Sequence, residues 1–197
     1  MGPIDTGVSF VESDAFFYGD AEDDSLGTNV EVVDDLDGDG VQDVLISTNH
    51  GFSLATPKEG AVLMFSGAGL SGDYTESEAS NRFLGTEIGS QFGFDAAIVP
   101  DVDGDGQQEL LVGAYAADID EVDSGAVYGF RGAWLDGGGV RTVDDLDVTR
   151  VQGSGVGFFG FKVAVGDVGA DGEVDVVLSE HGLDQVWVLS PAVIFGE

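Results

Sequence analysis

Three features of the sequence together predict an all-β fold of β-propeller blades, each with four antiparallel strands: a motif that returns at a fixed interval, short apolar runs on either side of it, and glycines where those runs end. The motif is Asp35-Leu36-Asp37-Gly38-Asp39-Gly40-Val41-Gln42-Asp43. It returns as Asp101-Val102-Asp103-Gly104-Asp105-Gly106-Gln107-Gln108-Glu109 and, less faithfully, as Asp167-Val168-Gly169-Ala170-Asp171-Gly172-Glu173-Val174-Asp175, each copy starting 66 residues after the last.

The elements of each unit follow in one order. A glycine opens the unit, after an aromatic in two of the three: Leu26-Gly27, Phe92-Gly93 and Phe159-Gly160. The first strand is expected at 30–33, 96–99 and 163–165, then the acidic loop, then a second strand at 44–47, 110–113 and 176–179. These runs of β-branched and aliphatic residues are too short and too firmly bounded by Gly and Asp to be helices. A third strand is expected at 60–65, 125–130 and 185–189, and a fourth at 16–19, 82–85, 149–153 and 193–196. No helical period survives over ten residues.

Residues Asp5-Thr6-Gly7-Val8-Ser9-Phe10-Val11 match Asp123-Ser124-Gly125-Ala126-Val127-Tyr128, so the chain is expected to begin in the third strand of a preceding unit. The domain reading is the end of a blade at 1–23 and blades at 24–89, 90–156 and 157–197. That gives about three and a half blades, a partial propeller or a piece of a longer array, since closure takes about four to eight. Such an array needs further blades or copies of itself to cover its open ends.

Composition bounds the partners. With 43% hydrophobic residues and 32 glycines the chain can build a core, while 38 acidic residues against 6 Lys and Arg give a net charge of -32. Six scattered cations cannot form a basic patch, so nucleic acid is excluded as a partner. Bound cations, a basic partner and a salty or secreted habitat each explain the acidity. The absence of cysteine removes disulfides and thiolate metal sites. No apolar run is long enough to insert into a membrane. The N-terminus, Met1-Gly2-Pro3-Ile4-Asp5, lacks the charged and apolar regions of a signal peptide, so an exported protein would have lost its signal.

The loops point to calcium. This hard cation takes six to eight oxygens, and carboxylates at alternate positions of a glycine-rich turn converge on one point. In the first loop Asp35, Asp37 and Asp39 are the expected ligands, with the Val41 carbonyl and Asp43 closing the site. In the second they are Asp101, Asp103, Asp105, the Gln107 carbonyl and Glu109. The third has Gly169 in place of the second aspartate and keeps Asp167, Asp171, the Glu173 carbonyl and Asp175, a degenerate site beside two complete ones. A merely solvated acidic turn is the competing reading, and the fixed period weighs against it. An EF-hand is excluded because its twelfth position would be Ile46 or Val112, and because strands flank the loop. Magnesium, which holds its waters in compact octahedra, suits an all-protein loop less well.

Taken together these residues resemble FG-GAP repeats, the calcium-binding blades of the integrin α-subunit propeller and of many bacterial surface and secreted proteins. Phe92-Gly93 matches the FG element and the loop from Asp101 to Glu109 the calcium element. Leu110-Leu111-Val112-Gly113-Ala114-Tyr115 and Gly125-Ala126-Val127-Tyr128 match the GAP strand and the one after it, and the resemblance spans residues 5–196. Gly113-Ala114-Tyr115 lacks the proline of GAP and Leu26 replaces the FG phenylalanine, which points to a bacterial or archaeal relative. The resemblance implies an extracellular or cell-surface module for adhesion or protein recognition, in which calcium rigidifies the loops on one rim.

Enzymatic chemistry is not expected. His50 and His181 read as exposed loop residues, Ser154 lacks a nucleophile-elbow setting, and Gly137-Gly138-Gly139 reads as a flexible turn with no Lys and no helix after it. The acidic clusters Glu22-Asp23-Asp24, Asp118-Ile119-Asp120-Glu121 and Asp144-Asp145 read as solvated faces. Trp134, Trp187, Phe158, Phe159 and Phe161 could line a sugar-binding groove, but read better as packing between blades. The expectation is a non-enzymatic calcium-binding module with a protein or glycan partner; the alternative is a lectin-like or accessory propeller domain of a secreted hydrolase.

Overall fold

The computed structural model describes residues 14–20, 24–49, 59–135 and 137–196. In chain order the strands are β1 (Ala15–Tyr18), β2 (Leu26–Val33), β3 (Asp43–Thr48), β4 (Ala61–Phe65), β5 (Gly72–Thr75), β6 (Asn81–Leu84), β7 (Phe92–Val99), β8 (Glu109–Ala114), β9 (Ala126–Phe130), β10 (Gly139–Thr142), β11 (Thr149–Gln152), β12 (Phe159–Gly166), β13 (Asp175–Glu180) and β14 (Gln185–Leu189), followed by a short helix α1 (Ala192–Phe195). They build three antiparallel blades in a row. The first is β2-β3-β4-β6, the second β7-β8-β9-β11 and the third β12-β13-β14. The all-β, partial-propeller architecture expected from the repeat is the one observed.

Blades pack face to face through two cores. Val62, Met64 and Phe83 of the first meet Phe92, Leu110, Val112 and Phe130 of the second. Ala97, Val99, Leu111 and Val127, on the other face of the second blade, meet Phe159, Val163, Val176 and Leu178 of the third. All six residues of β8 are buried, because neighbours cover both faces of the middle blade. That is why Leu110-Leu111-Val112 reads as a continuous apolar run instead of an alternation. On the third blade Val186, Trp187 and Val188 of β14 are exposed.

The Phe-Gly element is the seam between blades. Gly27, Gly93 and Gly160 have φ of +91°, +85° and +82°, and each sits where the register between first and second strand shifts by a bulge. The preceding positions, Ser25, Gln91 and Phe158, are left-handed too. These two left-handed residues tuck the intervening side chain inward, leaving Phe92 0% and Phe159 4% exposed. The turn also presses backbone on backbone: a Cβ on Gly160 would lie 2.4 Å from the Ala126 carbonyl oxygen, and one on Gly125 2.2 Å from that of Phe159. Phe159 N–H donates to Ser124 O across the same seam at 3.1 Å.

Three observations depart from the sequence expectation. The stretch 193–196 is not a fourth strand: Ala192–Phe195 is helical, with Pro191 before it and Gly196 at φ +78° ending it. Burial decides the matter, since Ile194 and Phe195 fill the second core, close against Gly129, whose missing side chain leaves them room. The expected strand at 16–19 exists as β1, but it pairs in parallel with β5, a strand the sequence did not announce. Phe17 and Tyr74 of that pair cover Phe65 and the outer face of the first blade, with ring centroids 4.8 and 6.1 Å from Phe65. Finally, Gly139 begins β10, which adds to β6 in parallel as a fifth strand, where a flexible turn was expected. The proposed match of residues 5–11 to a third strand lies outside the described residues.

Candidate metal centre

The three acidic loops join the first to the second strand of each blade, so they stand on one rim, at the other end of an eight-residue strand from the Phe-Gly turns. Their backbones agree. Positions four and six are left-handed in all three: Gly38 and Gly40, Gly104 and Gly106, Ala170 and Gly172. Glycine is the residue that takes this conformation without strain, and Ala170 is the exception.

The first aspartate of each loop ties the turn. Asp35 accepts from Gly38 N and Asp39 N through Oδ1 (2.7 and 3.0 Å) and from Gly40 N through Oδ2 (2.7 Å). Asp101 accepts from Gly104 N and Gly106 N at 2.7 and 2.9 Å, and Asp167 from Asp171 N and Gly172 N at 3.2 and 3.0 Å. The fifth position accepts from the seventh, as Asp39 from Val41 N, Asp105 from Gln107 N and Asp171 from Glu173 N. The acid at position nine reaches back across the loop: Asp43 to Leu36 N (2.8 Å), Glu109 to Val102 N (3.2 Å) and Asp175 to Val168 N (2.9 Å). Each carboxylate oxygen has two lone pairs, so accepting one backbone N–H leaves capacity for a cation.

Convergence differs between loops. In the second, oxygens of Asp101, Asp103, Asp105 and Glu109 all lie within 4.8 Å of one another. In the first, oxygens of Asp35, Asp37 and Asp39 do so. A spread of this size is about twice a calcium–oxygen distance, the widest separation of two ligands on one ion. Asp43 stands apart from the first group: it is fully buried, and its other oxygen accepts from Gly67 N at 3.1 Å. In the third loop Asp167, Asp171 and Asp175 form no such group among the described residues.

Glu109 tests whether the second loop suits a cation. The residue is 0% exposed, its Oε2 bonds to Val102 N, and its Oε1 has no hydrogen-bond partner although it is buried. Burial, and then the charges of Asp103, Asp101 and Asp105, push the carboxyl up to about 7, against the pull of the Val102 N–H. An anionic oxygen in that position lacks only a cation, so the donor set fits a hard divalent ion. Asp37 is also raised, first by burial and then by Asp43 and Asp39.

Two neighbours escaped the sequence reading. Ser66 Oγ donates to Asp39 Oδ2 at 2.7 Å, and Arg131 pairs with Asp103 Oδ2 at 2.5 Å. Each is the residue that follows the third strand, so alignment of the repeats by position carried the signal.

The remaining candidates have structural work. Asp118 accepts from Asp123 N, Asp120 from the Gln152 side chain and Asp145 from Thr142 N, so these acids brace turns. Glu22 and Asp23 lie outside the described residues, as does His50; Asp24 is buried. His181 stacks on Phe161 at 4.9 Å, and Phe161 packs against Phe94 and Tyr115 of the second blade at 4.8 and 5.2 Å. Phe159 is a core residue, and Phe158 and Trp134 pack on Tyr115 and Phe130. Trp187 is half-exposed and donates to Glu180. Ser154 has an exposed side chain, and only its backbone N–H is engaged, by Glu180.

Among the described residues no helix is long and apolar enough to cross a membrane. No curated protein matched the chain in a sequence comparison. A family model described as FG-GAP repeat matches residues 92–130, a stretch that opens at Phe92-Gly93, contains the four converging carboxylates and closes at the end of β9, and so the first three strands of the central blade of this partial β-propeller are similar to an FG-GAP repeat.

Proposed function

We propose that the chain is a calcium-stabilised, non-enzymatic recognition module of an extracellular or cell-surface protein, with a protein or glycan partner. Calcium in the loops 35–43 and 101–109 would fix the rim between first and second strands, holding the neighbouring loops in one arrangement. The observation that carries this reading is the buried, unpartnered Oε1 of Glu109 amid Asp101, Asp103 and Asp105. The ion neutralises charges that the fold forces together, and the chain's own residues supply all the geometry. Calorimetric titration with calcium tests it: two ions per chain are expected, and a flat titration at millimolar calcium would reject the reading.

Gly169 offers a gain-of-site test. A Cβ there would approach Asp171 Oδ2 at an ordinary 3.5 Å, and the glycine is not left-handed. Gly169→Asp should therefore add the missing ligand and raise the calcium count from two to three, read by the same titration.

Glu109 also sets a pH signature. Its folded value, about 7 without an ion, stands above the ordinary carboxylate value of 4.5, so the metal-free folded state binds more protons than the unfolded chain between those limits. From this group, stability in chelator should fall as pH rises from about 4.5 to 7. In saturating calcium the ion requires the deprotonated acid, so stability over the same window should rise with pH. Parallel slopes in melts with and without calcium would contradict this.

A further inference from the structure

Building on the calcium reading above, we propose that Arg131 is an internal counter-cation that lowers the calcium affinity of loop 101–109, at a point where loop 35–43 has a neutral serine. The two sites occupy equivalent places. Phe65 pairs with Val44 and Phe130 with Leu110, so the next residues, Ser66 and Arg131, stand at the same point beside their loops. Loop 101–109 brings Asp101, Asp103, Asp105 and Glu109 together, whereas in loop 35–43 Asp43 stands apart from Asp35, Asp37 and Asp39. The neighbour at the equivalent point differs as well. Ser66 is neutral and donates to Asp39, whereas Arg131 places a full positive charge on Asp103.

Calcium affinity in such loops follows ligand charge, and a guanidinium paired to one ligand cancels one of the four charges. An ion held by Asp103 would share that carboxylate with the guanidinium, close enough for like charges to oppose each other through partly buried surroundings. Solvent does little to screen them, since the Asp103 side chain is 12% exposed and that of Arg131 31%. Nor is Arg131 free to swing away when an ion arrives. Its second nitrogen donates to the Phe195 carbonyl oxygen at the end of α1, and the Phe195 ring is fixed in the second core. The repulsion therefore persists in the loaded state and lowers the affinity of that loop.

Calorimetry on the full chain separates the two sites. In an Asp37→Asn background, which silences loop 35–43, Arg131→Gln keeps an N–H donor for Phe195 and removes the charge. It should bind calcium about tenfold more tightly at loop 101–109, while Arg131→Lys, which keeps the charge, should bind as the background does. The reciprocal transplant, Ser66→Arg in an Asp103→Asn background, should weaken loop 35–43 by a similar factor and shows the effect without touching the Phe195 contact. Affinity at loop 101–109 that is unchanged or lower in Arg131→Gln overturns the role of Arg131 alone. Calcium binding absent from the unmodified chain and from every variant overturns the calcium reading and this inference with it.

Discussion

Chelating calcium should lower the melting temperature of this chain on the order of 10–20 °C. A ligand that binds only the folded state adds about 2.7 kcal/mol per site at a hundredfold excess over its dissociation constant, and each kcal/mol moves a domain of this size by about 2–4 °C. The loss arises where Asp101, Asp103, Asp105 and Glu109 converge, because the fold holds those acids together whether or not an ion is there. Glu109→Gln separates attraction from repulsion: the amide has the same shape and no charge. It should melt above the unmodified chain in chelator and below it in saturating calcium, a crossing that a purely structural Glu109 would not produce. Thermal melts of both proteins under both conditions check this, and an unchanged order would refute it.

Gly160→Ala should destabilise the chain by about 3 kcal/mol, and Gly27→Ala by about 1 kcal/mol. Both glycines are the second residue of the Phe-Gly element and both are left-handed, at φ +82° and +91°. A methyl group therefore meets the same backbone penalty at each. The difference lies across the seam: at Gly160 the new carbon would sit 2.4 Å from the Ala126 carbonyl oxygen, while at Gly27 nothing among the described residues lies within 4 Å. Backbone on both sides leaves no flexible side chain to move aside, so the second and third blades must separate. Urea denaturation of the two variants measures the contrast, and equal losses would mean that the seam does not depend on that contact.

Much of this architecture was legible because the determinants are local. The 66-residue period, the left-handed glycines at positions four and six of the first two loops and the fully apolar Leu110-Leu111-Val112 lie within a few residues of the features they cause. Helix α1 was not legible, since Val193-Ile194-Phe195 has equal claim to a strand until the pocket over Gly129 is in place. The four-residue strands β5 and β10 pair in parallel with β1 and β6 from distant parts of the chain, and their polar sequences carry no period of their own. Within the loops, equal spacing concealed unequal environments. Asp43 and Glu109 share position nine, yet the shorter acid has backbone donors on both oxygens and the longer one leaves Oε1 facing its neighbours. Arg131 was hidden because its significance lies in Asp103 and Phe195, distant from it in sequence by 28 and 64 residues.

A crystal structure determined in millimolar calcium, with anomalous data to identify the ion, addresses the electrostatic argument at its source. Glu109 Oε1 is expected at about 2.3–2.6 Å from a calcium ion shared with Asp101, Asp103 and Asp105, and a second ion is expected among Asp35, Asp37 and Asp39. Loops that hold only water under those conditions, with Glu109 hydrogen-bonded as a neutral acid, would contradict it.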